Sequence, residues 1–280
     1  MISFKSAEEG VELANLLAGI ATVDPIWDRT VTGITSDSRK VQAGDLFIAY
    51  AGAQFDARAY IPQAVAQGAV AVVAEARDQD QTIDCDVPIF SVMDLQPQIS
   101  TIAARFYRHP TRHMRVIGVT GTNGKTSCSY YIAQALTLAK QPCGLIGTLG
   151  TGVPPDIIPG QLTTPDPIAI QHQFAEFSSQ NITTVAMEVS SHALAQQRTK
   201  HVECGIAVFT NLTRDHLDYH GTMEVYAQVK RSFFDPIPAN ISRCVVNGLI
   251  LLSILRPAAQ SATMIKPTSL PSGAPYVLTI

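Results

Sequence analysis

The strongest chemistry in the chain lies in the run Val116-Ile117-Gly118-Val119-Thr120-Gly121-Thr122-Asn123-Gly124-Lys125-Thr126-Ser127. An apolar strand enters a Gly-rich turn, and a helical pattern leaves it. Glycines let the backbone bend around phosphates with its N–H groups turned inward, and the helix N-terminus that follows adds a positive dipole end. In such a loop the Lys125 ammonium bridges the β- and γ-phosphates of a nucleoside triphosphate, and the Thr126 hydroxyl ligates Mg2+. The strict pattern G-x-x-x-x-G-K-[ST] fails at its first position, which is Val119.

Two further polar groups end apolar runs. Glu188 closes the run 183–188, at the carboxyl edge where open parallel sheets bind ligands. There it reads as a metal ligand or water anchor beside a Mg·nucleotide, or as a solvated strand end. The second group, Thr210-Asn211-Leu212-Thr213-Arg214-Asp215-His216-Leu217-Asp218-Tyr219-His220, packs hydroxyls, amides, carboxylates and imidazoles into one turn. His216 is expected at the same edge, in a catalytic or metal-binding role. Lys230 lies in a helical stretch, 223–234, whose apolar side is Val225, Tyr226, Val229, Phe233 and Phe234. Spacing alone makes it a surface lysine.

The elements that must position these groups follow from periodicity. Helical spacing covers 6–18, with Ser6 and Glu9 as a capping box, and extended runs follow at 31–35, 46–49, 69–73 and 89–92. Helices over 60–67 and 94–107 complete a small α/β domain, 1–108, which ends where Pro110 forbids helix continuation. Beyond it, strands at 114–119, 144–148, 183–188 and 205–210 alternate with helices at 125–139 and 167–178. That alternation predicts a second α/β domain, 109–247, with a mostly parallel sheet and helices on both faces. From Pro236 to Ile280 there is not one Asp or Glu, although 23 precede it, and the segment holds six of the seventeen prolines. Residues 248–280 therefore read as an atypical tail.

With 280 residues, 46% of them apolar and 15% charged, the chain can bury two cores. Lys plus Arg number 20 against 23 Asp plus Glu, a net charge of -3. No basic field points to nucleic acid or an anionic membrane surface. The five cysteines are odd in number and form no C-x-x-C pair, so they read as free thiols of a reducing compartment. The oiliest run, 249–255, is far short of a membrane span. Lys5, Glu8 and Glu9 stand where a secretory signal needs an apolar core. A cytoplasmic chain without membrane insertion is expected.

The run Gly121–Thr126, with Glu188-Val189-Ser190-Ser191-His192 and Asn211-Leu212-Thr213-Arg214-Asp215-His216-Leu217-Asp218-Tyr219-His220-Gly221 behind it, resembles the Mur ligase family. Ser36-Asp37-Ser38-Arg39 and Ala43-Gly44-Asp45-Leu46-Phe47 look like its uridine-binding domain, and the resemblance spans about residues 31–247. It implies an ATP-dependent amide ligase of peptidoglycan precursor synthesis, working through an acyl-phosphate. Its branch adds the third stem-peptide residue, a diamino acid expected to be meso-diaminopimelate, to UDP-N-acetylmuramoyl-L-Ala-D-Glu. By family match Gly121, Thr122, Asn123, Gly124, Lys125, Thr126, Ser127 and Asn211 hold ATP, while Thr126, Glu188 and His216 bear on Mg2+. Lys230 matches a lysine that CO2 converts to a carbamate, which reverses its surface reading and makes it catalytic with Lys125 and His216. The matching substrate positions are Ser36, Ser38, Ala53, Gln54 and Phe55 in the first domain, and Thr163, Thr164, Ser190, Gln196 and Arg198 in the second.

Three departures stand out. Leu162 occupies a position where the family often has Asn, and Ser127 replaces a second Thr. After Val245-Val246-Asn247 the family continues with an acidic run and a C-terminal domain that binds the amino acid, and neither pattern follows here. A lost reading frame near Asn247, or a truncated gene, is the expectation. The competing readings are a nucleotide-binding remnant without chemistry and a folylpolyglutamate synthase, against which the region 36–55 argues.

Overall fold

In this computed structural model the residues described are 10–52, 56–76, 85–234 and 242–245, the last four as backbone. A small four-stranded sheet and a larger seven-stranded one carry the fold, beside a separate two-stranded pair. That pair joins β1 (Val11–Glu12), which leads into α1 (Leu13–Leu17), to β2 (Thr30–Val31), antiparallel with Val11 opposite Val31. The helix expected over 6–18 is therefore only five residues among those described, because Val11 and Glu12 are drawn into strand pairing. Residues 6–9, with the capping box, lie outside the described residues.

Next come β3 (Gly33–Thr35), β4 (Asp45–Ala49), α2 (Ile61–Ala66), β5 (Ala71–Glu75), β6 (Ile89–Val92) and α3 (Gln96–Phe106). Strands β3-β4-β5-β6 form an all-parallel sheet in chain order. All five residues of β4 are buried, as expected for a strand covered on both faces. At the end of α3 the chain reverses through two consecutive left-handed residues, Arg108 and His109, before the buried Pro110.

The larger sheet contains β7 (Arg115–Thr120), which runs into α4 (Lys125–Leu138), then β8 (Cys143–Gly147), β9 (Gly150–Val153) and β10 (Asp156–Ile158). It continues with α5 (Pro167–Ser179), β11 (Thr184–Glu188), α6 (Ser191–Ala195), β12 (Cys204–Phe209), α7 (Leu217–His220), α8 (Met223–Ser232) and β13 (Ser242–Val245). The strand order is β10-β9-β8-β11-β7-β12-β13. Its five strands from β8 to β13 are parallel, and the antiparallel hairpin β9-β10 adds an edge that periodicity did not reveal. Two short helices also stand outside the expected elements, α6 where none was read and α7 within the polar turn.

The sheets meet through α3 and α5. Ile99, Ile102, Ala103 and Phe106 of α3 share a buried cluster with Ile168 of α5 and with Leu46 and Ile48 of β4. Burial of aliphatic side chains contributes about 1.5–3 kcal/mol each, so this seam is a substantial part of the core. Polar bonds lie over it: Thr101 Oγ1 is 2.9 Å from His201 Nε2, and Ser100 Oγ donates to the Arg198 carbonyl at 3.4 Å. Among the described residues no helix is long and apolar enough to cross a membrane.

Candidate functional site

Strand β7 is the middle one of the five parallel strands, with β11 on one side and β12 on the other, and its C-terminal end opens into the Gly-rich loop 121–124. Register places Glu188 beside Val119 and Phe209 beside Thr120. The loop, Glu188 and the turn after β12 thus stand at one level of one edge, the crevice where open α/β sheets bind ligands.

Gly121 has φ +141°, and a side chain there would overlap the Thr210 hydroxyl. That close approach closes the loop onto the turn after β12. Thr122 N donates to the Asn211 carbonyl at 2.9 Å, Asn123 N donates to Asn211 Oδ1 at 3.0 Å, and Asn211 Nδ2 returns a bond to the Asn123 carbonyl at 3.1 Å. Thr213 N donates to Thr122 Oγ1 at 3.0 Å, and Tyr226 OH lies 3.1 Å from the same oxygen. Helix α4 then starts at Gly124, in the left-handed conformation, with no side chain capping it. Its first N–H groups are left for an anion. Ser127 is exposed in the first turn.

Both lysines point at the loop. Lys125 Nζ donates to the Gly121 and Thr122 carbonyls at 3.1 and 2.8 Å, and Lys230 Nζ donates to the Gly121 carbonyl at 2.7 Å. Lys230 is not on the surface, as spacing suggested, but 2% exposed. It sits one turn beyond the buried Tyr226 on α8, and its Nζ lies 4.8 Å from that ring's centroid. Desolvation, with Lys125 adding repulsion, pushes its pKa down to about 7. Burial also lowers the pKa of Lys125. Val225, read as part of the apolar side of the same helix, is 42% exposed, because it points away from Tyr226.

Glu188 is 1% exposed and so is no solvated strand end. Its Oε2 accepts from Thr126 Oγ1 at 2.9 Å and Thr148 Oγ1 at 3.2 Å, and its Oε1 accepts from Thr148 N at 2.7 Å. A buried carboxylate with a threonine hydroxyl beside it is a hard oxygen pair of the type Mg2+ takes, its remaining positions filled by phosphate and water. Among the described residues no group of three or more His, Cys, Asp or Glu is placed to hold a metal by itself.

The second set of expected residues continues from Glu188. Thr163 Oγ1 lies 3.0 Å from Thr148 Oγ1, and Thr164 Oγ1 donates to the Glu188 carbonyl at 2.9 Å and accepts from Ser190 N at 3.0 Å. Ser190 caps α6. Arg198 donates to Gln196 Oε1 at 2.8 Å and to the Thr164 carbonyl at 2.9 Å, and Gln196 reaches Tyr219 OH at 3.2 Å. His216 stands in a ring cluster with His192 at 4.9 Å and Tyr226 at 6.2 Å between centroids.

Ser36 and Ser38 lie elsewhere, on a cavity of about 480 Å3 at the small sheet, lined also by Asp37, Arg39, Phe47, Tyr60 and Gln63. Ala53, Gln54 and Phe55 lie outside the described residues, as does the tail 248–280. Sequence reasoning missed Thr148 and Tyr226. Tyr226 has a signal in its i,i+4 relation to Lys230, whereas Thr148 meets Glu188 only through strand pairing.

Comparison with known proteins agrees with this fold. The description "Mur ligase family, catalytic domain" matches residues 30–107, and "Mur ligase middle domain" matches residues 119–254. A UDP-N-acetylmuramoyl-L-alanyl-D-glutamate–2,6-diaminopimelate ligase from Coxiella burnetii is 51% identical over 207 residues, 74% of this chain and 42% of that protein. The ligase of that name from Nitrosomonas europaea is 43% identical over 207 residues, 74% of this chain and 40% of the relative. The chain thus spans less than half the length of these curated relatives. A solved structure of a ligase of the same name superposes with TM-score 0.70 at 30% identity, over 84% of this chain and 52% of that one. A MurF ligase from Thermotoga maritima in complex with ADP shares the fold at TM-score 0.55 and 21% identity, over 76% of this chain and 45% of that one.

Proposed function

Because this chain belongs to the Mur ligase family, we propose that it supplies the uridine- and ATP-binding domains, 1–108 and 109–247, of a cytoplasmic ATP-dependent amide ligase. The reaction joins a diamino acid, meso-diaminopimelate, to UDP-N-acetylmuramoyl-L-Ala-D-Glu. The observation that carries the reading is the bond of 2.9 Å from Thr126 Oγ1 to the buried Glu188 carboxylate at the mouth of the Gly-rich loop.

In this reading the loop N–H groups and the start of α4 take the triphosphate, and Lys125 leaves the Gly121 and Thr122 carbonyls for the β- and γ-phosphates. Thr126 and Glu188, with His216 as a further candidate ligand, would hold Mg2+, which would supply positive charge to offset that of the transferring phosphoryl group. Thr163, Thr164, Ser190, Gln196 and Arg198 orient the peptide end of the substrate, while Ser36 and Ser38 face its uridine end. The substrate carboxylate attacks the γ-phosphorus and ADP departs. The incoming amine then adds to the acyl-phosphate carbon and phosphate leaves.

A pKa of about 7 leaves much of Lys230 neutral near pH 7, and a neutral amine is the form that adds to CO2, losing a proton to give a carbamate. That modification turns a buried amine into an anion able to join the metal site. Lys230→Ala should lose turnover and regain part of it with acetate or formate; no rescue would remove the carbamate from the reading.

Phosphate release by the 280-residue chain tests the whole proposal, with Mg·ATP, UDP-N-acetylmuramoyl-L-Ala-D-Glu and meso-diaminopimelate, each omitted in turn. Release that needs all three supports the ligase. Binding of both nucleotides without release assigns this chain binding alone, and failure to bind either overturns the reading.

A further inference from the structure

We propose that Thr148 is a positioning residue that holds the Glu188 carboxylate for the metal and links it to Thr163, an inference that rests on the reading of Thr126 and Glu188 given above. Thr148 follows β8, two strands from the phosphate loop and next to β11. It makes four contacts at this point. Its backbone N–H donates to Glu188 Oε1 at 2.7 Å, and its hydroxyl lies 3.2 Å from Glu188 Oε2, 3.3 Å from Thr126 Oγ1 and 3.0 Å from Thr163 Oγ1. Glu188 therefore has each oxygen engaged by this one residue. The preceding residue leaves no slack, since a side chain on Gly147 would overlap Glu188 Oε1.

Proton counting shows why the hydroxyl matters. An ionised carboxylate only accepts, and a threonine hydroxyl has one proton to give. Two hydroxyl protons, from Thr126 and Thr148, are available to Oε2. When the Thr126 oxygen turns a lone pair to a cation, the Thr148 hydroxyl and N–H still fix the carboxylate plane. Bonds to an ionised acceptor are the strong ones, and partners that orient metal ligands typically change metal affinity by about 10–100-fold when removed. Contact with Thr163 extends the same hydroxyl toward the residues proposed to hold the nucleotide-sugar peptide.

Thr148→Val keeps the shape and the backbone bond but deletes the hydroxyl, and Thr148→Ser keeps the hydroxyl. Calorimetric titration of each full chain with the non-hydrolysed analogue AMPPNP, in excess Mg2+ and in EDTA, reads the metal-dependent part of nucleotide affinity without turnover. Thr148→Val should lose about tenfold in affinity with Mg2+ and about none in EDTA, while Thr148→Ser stays within about threefold of the parent. Equal Mg2+ dependence in parent and Thr148→Val overturns the inference. So does an equal loss in Mg2+ and EDTA, or a serine variant as weak as the valine one. A parent chain whose nucleotide affinity ignores Mg2+ overturns instead the underlying reading of Thr126 and Glu188, and this inference with it.

Discussion

At the edge of the larger sheet Glu188 is 1% exposed and bonded to residues 40 and 62 positions away in the chain. At the small sheet's cavity the Arg39 side chain is 82% exposed and pairs with Asp37, two residues away. The first region is built by long-range bonds that converge on one buried carboxylate, the second by a local pair in contact with water. Buried, mutually oriented dipoles stabilise charge without reorganising, whereas exposed local pairs contribute little to stability and are free to adapt. The contrast separates a place suited to chemistry from a place suited to recognition.

The largest effect expected is at the first region. Lys125→Ala should weaken Mg·ATP binding about 100-fold or more and leave uridine nucleotide affinity within about twofold, both read by calorimetry. A matching loss of uridine affinity would break the separation between the two regions.

The seam between the sheets offers a pH test. His172 on α5 is 6% exposed, its ring centroid lies 5.6 Å from that of Tyr107, and desolvation pushes its pKa down to about 4. Its folded pKa lies below the unfolded value of about 6.5, so the unfolded chain binds the extra proton first. The stability it permits is intact above about pH 6.5 and lost as pH falls toward 4, by up to about 3 kcal/mol. Urea unfolding at pH 7.5 and 4.5 measures this, and His172→Phe should flatten the difference.

Gly121→Ala comes next. It forces φ +141° on a residue with a side chain and drives that side chain into Thr210, at an expected cost of about 2 kcal/mol. The melting temperature and ATP affinity should fall together. Asp37→Ala should be the mildest, removing the acceptor that caps the short turn at Arg39 N for about 1 kcal/mol. Thermal melting measures that loss, and an ATP affinity that fell with it would join the two regions after all.

Much of this was legible in the residues. The Gly-rich loop, the strand ending in Glu188 and the polar turn after β12 were readable because each is a local pattern: a strand period of two, a helical period, and glycines where the backbone must bend. The helix bearing Lys230 was equally clear, yet the lysine's burial was not, because helical spacing gives faces without saying which neighbour covers them. A helix running from 6 to 18 failed because pairing of Val11 with Val31 is a contact across 20 residues.

The amino-acid sequence by itself determined the main alternation of strands and helices, the phosphate loop and the family, since those depend on local propensity and on ordered motifs. Tertiary structure alone decided that β11 lies beside β7, so that Glu188 reaches Thr126, and that Thr148 joins them from a third strand. It also placed Lys230 under the loop with its charge disfavoured. Strand order and desolvation arise from packing of segments distant in the chain, and no single segment carries that information.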